Sequence, residues 1–343
     1  MKFMTVIETK CTILESSTKK ILSSPNYNYI FDKQTGYFMR WGNTKNTDPQ
    51  WSEYGPEIAD IEISTSCSKG CKFCYKGNTR NGSSMGIEKF KKVFNNLPKT
   101  ITQIAFGIGD IELCDDLEAI FAYTRSKGII PNVTINAHNM TSAQYDMLAK
   151  YCGAVAVSLY GYDECYAAVN QLASRGMKQV NIHCMLSHET FGRCMQAIKD
   201  ASSDARLVGS LNAIVFLHIK KKGRALDNNF NKPSDGQIKD VITSALKHGI
   251  GFGFDSCSAH RVMEYLPEEY HSMVEPCESS LFSMYINVDG LCFPCSFTEI
   301  DSYEGIDITN IKNFNDVWYG NGYKKFRKEC LGNCRKCPVY DID

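Results

Sequence analysis

The stretch IADIEISTSCSKGCKFCYKGN, residues 58–78, decides how the rest of the chain is read. Its first eight residues form a candidate strand. The loop after it carries Cys67, Cys71 and Cys74 in C-x3-C-x2-C spacing at that strand's C-terminal end, with no fourth Cys or His in the loop. Three crowded thiolates can hold one face of a metal centre while leaving one metal position without a protein ligand. Such an open position is what a metal needs to bind and activate a small molecule. Thiolate softness favours an iron–sulfur cluster or zinc over hard ions, and a structural zinc site completed by a distant residue is the plain alternative.

Outward from this loop, short apolar runs alternate with amphipathic stretches. Candidate strands lie at 58–65, 100–107, 131–137, 153–160, 178–186, 211–219 and 249–255. Helical patterns fall between them, near 86–97, 115–127, 141–151, 163–175, 189–202 and 235–248. Strands separated by helices in this rhythm imply consecutive βαβ units and a parallel sheet. An open doubly wound sheet and an incomplete α/β barrel both fit, and both put chemistry at the C-terminal ends of the strands. Residues 1–57 read as an accessory segment with a hairpin around Asp32–Gly36. The stretch from 270 on reads as helix-poor and holds six of the sixteen cysteines.

The cysteine spacing, with the aromatic Phe73 just before the last Cys, resembles the radical S-adenosylmethionine superfamily. The resemblance implies a partial (β/α)6 TIM-type barrel over 58–260. It also implies a [4Fe–4S] cluster on Cys67, Cys71 and Cys74, whose open iron chelates S-adenosylmethionine. Reductive cleavage would then give a 5′-deoxyadenosyl radical that abstracts a hydrogen atom from a substrate. Electrons would come from a flavodoxin- or ferredoxin-type donor.

Further candidates lie at the strand ends. Gly107 and Gly109 in AFGIGDIEL (105–113) would let backbone approach a ligand closely. The family has a Gly-Gly-Glu-like turn there, from which this chain departs at Ile108 and Asp110. Alternation puts Thr134 and Asn136 on one strand face, Ala154, Ala156 and Ser158 on another, and Asn181 and His183 on a third. Related enzymes place polar contacts to S-adenosylmethionine at the positions of Asn136 and Ser158. Either residue could equally cap a strand, and His183 could be a satisfied structural residue. In HIKKKGRA (218–225) the basic residues read as a solvated loop or, at Arg224, as a carboxylate contact. Cys257 is open between cluster ligand, hydrogen donor and inert thiol.

The last cysteines are Cys277, Cys292, Cys295, Cys330, Cys334 and Cys337. A Val-Asp-Gly turn (288–290) precedes Pro294-Cys295. Cys292 and Cys295 with Cys334 and Cys337 could form a zinc ribbon. Combined with the first motif, the pattern resembles the SPASM/twitch subgroup, which implies an auxiliary-cluster domain over 261–343. Six thiols suffice for one auxiliary [4Fe–4S] cluster, with Cys277, Cys295, Cys334 and Cys337 the favoured set. Members of the subgroup commonly modify peptide or protein side chains; others act on small metabolites or nucleosides.

Composition narrows the rest. The chain has 343 residues, 43% hydrophobic and 22% charged, with 38 Lys+Arg against 38 Asp+Glu. Zero net charge argues against extended nucleic-acid binding, and with it against a zinc-stabilised binding protein gripping phosphates through Lys220–Lys222. No apolar run reaches the ~18 residues of a membrane span. The first twenty residues lack a signal-peptide core. Clustered cysteines without export predict a cytoplasmic metalloprotein rather than a disulfide framework.

Overall fold

The computed structural model describes residues 4–8, 11–44, 46–299 and 303–340, with side chains from residue 11 onward. Five strands open the chain: β1 (Met4–Glu8), β2 (Cys11–Glu15), β3 (Lys19–Ser23), β4 (Asn28–Asp32) and β5 (Phe38–Trp41). They form an antiparallel meander in the order β1-β2-β3-β4-β5. The β4–β5 pair is the hairpin expected around Asp32–Gly36. The Asp32 carboxylate accepts from the amides of Gln34 and Thr35 at 2.9 and 3.0 Å, and Gly36 takes φ +76°. The three preceding strands give no clear signal in the sequence, because they are short and joined by Ser and Thr rather than by Asn-Gly or Asp-Gly turns.

The second sheet holds ten strands in the order β12-β11-β10-β9-β8-β7-β6-β13-β14-β15. Its parallel part comprises β6 (Ile58–Glu62), β7 (Gln103–Gly107), β8 (Ile130–Ile135), β9 (Ala154–Ser158), β10 (Gln179–Leu186), β11 (Ala213–His218) and β12 (Phe252–Phe254). Between them run α1 (Gly86–Asn95), α2 (Leu117–Ser126), α3 (Ser142–Tyr151), α4 (Tyr162–Ser174), α5 (Phe191–Ala201), the short α6 (Arg224–Asp227) and α7 (Asp235–His248). Every strand and longer helix read in 58–255 is present, in a partial α/β barrel.

Local chemistry explains the boundaries. Thr141 and Ser234 each close a capping box, with Gln144 and Gln237 respectively, contributing about 1 kcal/mol apiece. Gly249 ends α7 in the left-handed conformation at φ +63°. Alternation sorts the strand faces as expected. Val155, Val157, Ile182 and Cys184 are fully buried under helices, while Ala154, Ser158, Asn181 and His183 face the barrel interior and keep partial exposure.

The C-terminal region contains α8 (Ala259–Met263), β13 (Ser283–Ile286), β14 (Leu291–Phe293), β15 (Ile306–Asp307), α9 (Asn315–Trp318) and α10 (Asn321–Gly332). The β13–β14 hairpin turns at Gly290, φ +84°, as the Val-Asp-Gly motif suggests. Two features go beyond the sequence reading. β13 pairs in parallel with β6, so this region continues the barrel sheet. The helix-poor stretch holds one longer helix, α10, which buries Tyr323, Phe326, Arg327 and Cys330 on one face. A second core joins Cys11, Leu22, Tyr27 and Tyr29 of the meander to Cys277, Leu281, Phe282, Phe326 and Cys330.

Candidate functional site

The loop carrying Cys67, Cys71 and Cys74 leaves the C-terminal end of β6, and all three thiols are free and partly buried. Its shape is imposed by three neighbours. Gly109 passes directly beneath it: a Cβ there would sit 1.9 Å from the Ser66 carbonyl oxygen and 2.8 Å from Cys67 Cβ. The Asp110 carboxylate accepts from the Ser68 amide at 2.8 Å and from the Ser68 hydroxyl, and its other oxygen accepts from Asn136 Nδ2. Burial pushes the Asp110 pKa up, but these donors and Cys67 outweigh it and hold the carboxyl below its usual range. Arg224 donates to the carbonyls of Cys71 and Asn78 at 2.9 and 2.8 Å, and its own amide donates to the Cys74 carbonyl at 3.0 Å. This is a backbone clamp where a carboxylate contact was one expectation. Gly223 makes it possible, since a Cβ there would lie 2.4 Å from the Tyr75 carbonyl oxygen.

Phe73, marked by the motif, has partners that no motif betrays. Phe73 stacks on Tyr160, 6.0 Å between centroids and 20° between planes, and meets Phe230 edge-on. Burial raises the Tyr160 hydroxyl's pKa, and the Cys71 thiol and Ser158 both act on it, which puts Ser158 in the loop's surroundings. Lys76, two residues past Cys74, pairs with Glu62 at 3.2 Å and with Glu299, and donates to Tyr285 at 2.6 Å. That network ties the loop to the C-terminal region. Burial raises the Cys67 thiol to about 11 and raises Cys71 as well.

Inside the barrel, Asn136 is committed at both ends, with Oδ1 accepting from the His138 amide at 3.0 Å. Gly107 lies over Glu62 Cα, where a Cβ would approach to 3.3 Å. His183 faces the interior with Nδ1 3.5 Å from Thr134 Oγ1, and burial lowers its pKa to about 4. Asp60 on β6 also faces this space with its side chain exposed to it, and the surrounding protein with the nearby Glu278 charge raises its pKa to about 7. A cavity of about 670 Å³ runs along the outer strand β12, past Asp255 and Ser256 to Tyr270 and Met273.

The C-terminal thiols sort into two groups. Cys277 faces Cys330, Cys257 faces Cys337, and Cys295 lies near enough to Cys277 and Cys337 for both to raise its thiol after burial has done so. The Cys337 thiol is lowered to about 6, first by the hydrogen bond from Cys257 and then by the amides of Val339 and Tyr340 and by Lys220. Cys292 points away, packed fully buried with the barrel core, and Cys334 is exposed. Thus the structure brings Cys257 into a set from which it leaves Cys334 out. Lys220 and Lys222, read as a solvated loop, are buried beside this set. Among the described residues no three His, Cys, Asp or Glu converge tightly enough for one metal ion. A cubane cluster spreads four thiolates over four irons and does not require that convergence.

Comparison with known proteins agrees with this geometry. Residues 277–338 match the family model of SPASM, an iron–sulfur cluster-binding domain. A search of the curated proteins finds no match. Among solved structures, Streptococcus suis SuiB bound to its precursor peptide SuiA superposes with TM-score 0.66 at 13% identity, covering 99% of both chains. SuiB bound to S-adenosylmethionine gives 0.64 at 14%, covering 84% of this chain and 72% of that one. The enzyme anSMEcpe, with bound AdoMet and a peptide, gives 0.59 at 13%, covering 82% and 87%. The chain therefore has the fold of the SPASM-type radical S-adenosylmethionine enzymes and carries their iron–sulfur cluster-binding domain at its C-terminal end.

Proposed function

We propose that this protein is a radical S-adenosylmethionine enzyme acting on a peptide or protein side chain. The observation that carries the reading is the three-thiol loop at the end of β6, braced by Gly109, Asp110 and Arg224 with every thiol free. The donor set fits a [4Fe–4S] cluster: three soft sulfur ligands and no fourth Cys or His in the loop. Bound there with S-adenosylmethionine, such a cluster supplies one-electron reduction of the sulfonium, the source of a 5′-deoxyadenosyl radical that removes a substrate hydrogen atom. Cys67, Cys71 and Cys74 would hold it. The chain's other residues do the positioning: Asp110 and Arg224 fix the loop backbone, Phe73 and Tyr160 wall one side, and His183 and Asp60 line the interior a substrate would enter.

A peptide substrate is supported by the precursor peptide and the peptide bound in two structures of the same fold. For the auxiliary cluster we propose Cys277, Cys295 and Cys337 as ligands, with the fourth corner falling to Cys257 or Cys330, which face two of them. We place the protein in the cytoplasm, with a flavodoxin- or ferredoxin-type donor.

Anaerobic reconstitution tests this. About 8 iron per chain is expected, four for each cluster. With S-adenosylmethionine and a reductant, 5′-deoxyadenosine should form, and Cys71→Ala should abolish it. Normal 5′-deoxyadenosine formation by Cys71→Ala would refute the assigned site.

A further inference from the structure

Lys220, just past the end of β11, turns its side chain inward and is 9% exposed. Its ammonium pairs with the Asp255 carboxylate and lies 5.5 Å from the centre of the Phe297 ring. Asp255 stands two residues before Cys257, and Phe297 two residues after Cys295. The ammonium is thus held between the two segments that deliver these thiols. Asp255 is itself fixed by the Ser258 hydroxyl at 2.6 Å. Lys222 is used differently, donating to the carbonyls of Ser296 and Phe297 at 3.2 and 2.7 Å.

A buried cation is costly unless something nearby compensates it. Asp255 does so in part, and a cluster bearing four thiolates would do the rest. We propose that the Lys220 ammonium sets the reduction potential of the auxiliary cluster, favouring its reduced form, with Asp255 fixing the ammonium and offsetting part of its charge. This rests on the reading that the C-terminal thiols hold a cluster. One-electron reduction makes that centre more negative by one charge. A cation in the surrounding low-dielectric shell stabilises the reduced state more than the oxidised one. The centre would then accept an electron from a substrate radical more readily, reducing the cluster as the radical is oxidised.

The test is a potentiometric titration of the full-length, iron-loaded protein, monitored by electron paramagnetic resonance. The auxiliary signal is the one that persists in Cys71→Ala. Lys220→Met should lower its midpoint by about 59 mV or more, tenfold in the one-electron reduction equilibrium. Lys220→Arg should stay near the parent value, and Asp255→Asn should shift the midpoint upward. Shifts of the same sign in Lys220→Met and Asp255→Asn, or none in either, overturn the proposal. If Lys220→Met retains no auxiliary iron, Asp255→Asn decides: a rise supports the proposal, and a fall or no change overturns it. A parent protein with only about four irons and no persistent signal would instead overturn the cluster reading, and this inference with it.

Discussion

Gly109 shows how much one missing Cβ can hold in place. With the Ser66 carbonyl oxygen 1.9 Å from where that atom would sit, no rotamer relieves the overlap, and the cluster loop would have to lift. Gly109→Ala should therefore fold, by unchanged circular dichroism, yet bind roughly half the parent iron and form almost no 5′-deoxyadenosine. Full iron loading in this variant would show that the close approach is dispensable. The glycine was legible from the sequence as a point of close approach. What it approaches was not, because the expected contact was a ligand and the observed one is backbone. Asp110 differs again. As a departure from the family's glutamate its role was open, and its partner Ser68 lies 42 residues away in sequence, beyond any local pattern.

At the level of elements, the barrel rhythm was readable because each strand and helix carries its own period. The pieces that hold the loop were not, because they act through main-chain carbonyls that no spacing reports. α6 is the clearest case: its first residue, Arg224, donates to the carbonyls of Cys71 and Asn78. A lysine ammonium cannot span both in the manner of a planar guanidinium. Arg224→Lys and Arg224→Ala should each accelerate iron loss to a chelator severalfold from the cluster on Cys67, Cys71 and Cys74, leaving the auxiliary signal unchanged. Equal rates in parent and variants would remove α6 from the site. α10 was missed although Tyr323, Phe326 and Cys330 fall on one helical face. Cys330 within it and the cysteines just after it draw attention to ligand spacing, and its lysines mask the apolar stripe.

For the molecule as a whole, a carboxyl lining the barrel couples stability to pH. Asp60 is raised to about 7 in the folded chain, against about 3.9 for an unperturbed aspartate. Below about pH 4 both states are protonated and the residue costs nothing. As pH rises toward 7 the unfolded chain ionises first, so stability falls, and above 7 the penalty is fully developed. Because the carboxyl is open to the interior space, solvent softens this, and a shift of a few degrees is expected. Asp60→Asn should thus raise the melting temperature at pH 8 and leave it unchanged at about pH 2.5, well below both pKa values. A variant equally stable or less stable at pH 8 would contradict the raised pKa. Nothing in the sequence distinguished Asp60 from any polar strand residue.

The parallel pairing of β13 with β6 has a consequence for biosynthesis. While the ribosome is still making the two hundred or so residues that separate these strands, one side of β6 has bare amides and carbonyls. A nascent chain carrying such an open flank is adhesive. It needs shielding until the polypeptide's end arrives to zip it shut, and fragments released before that point would be prone to clump rather than stay dispersed.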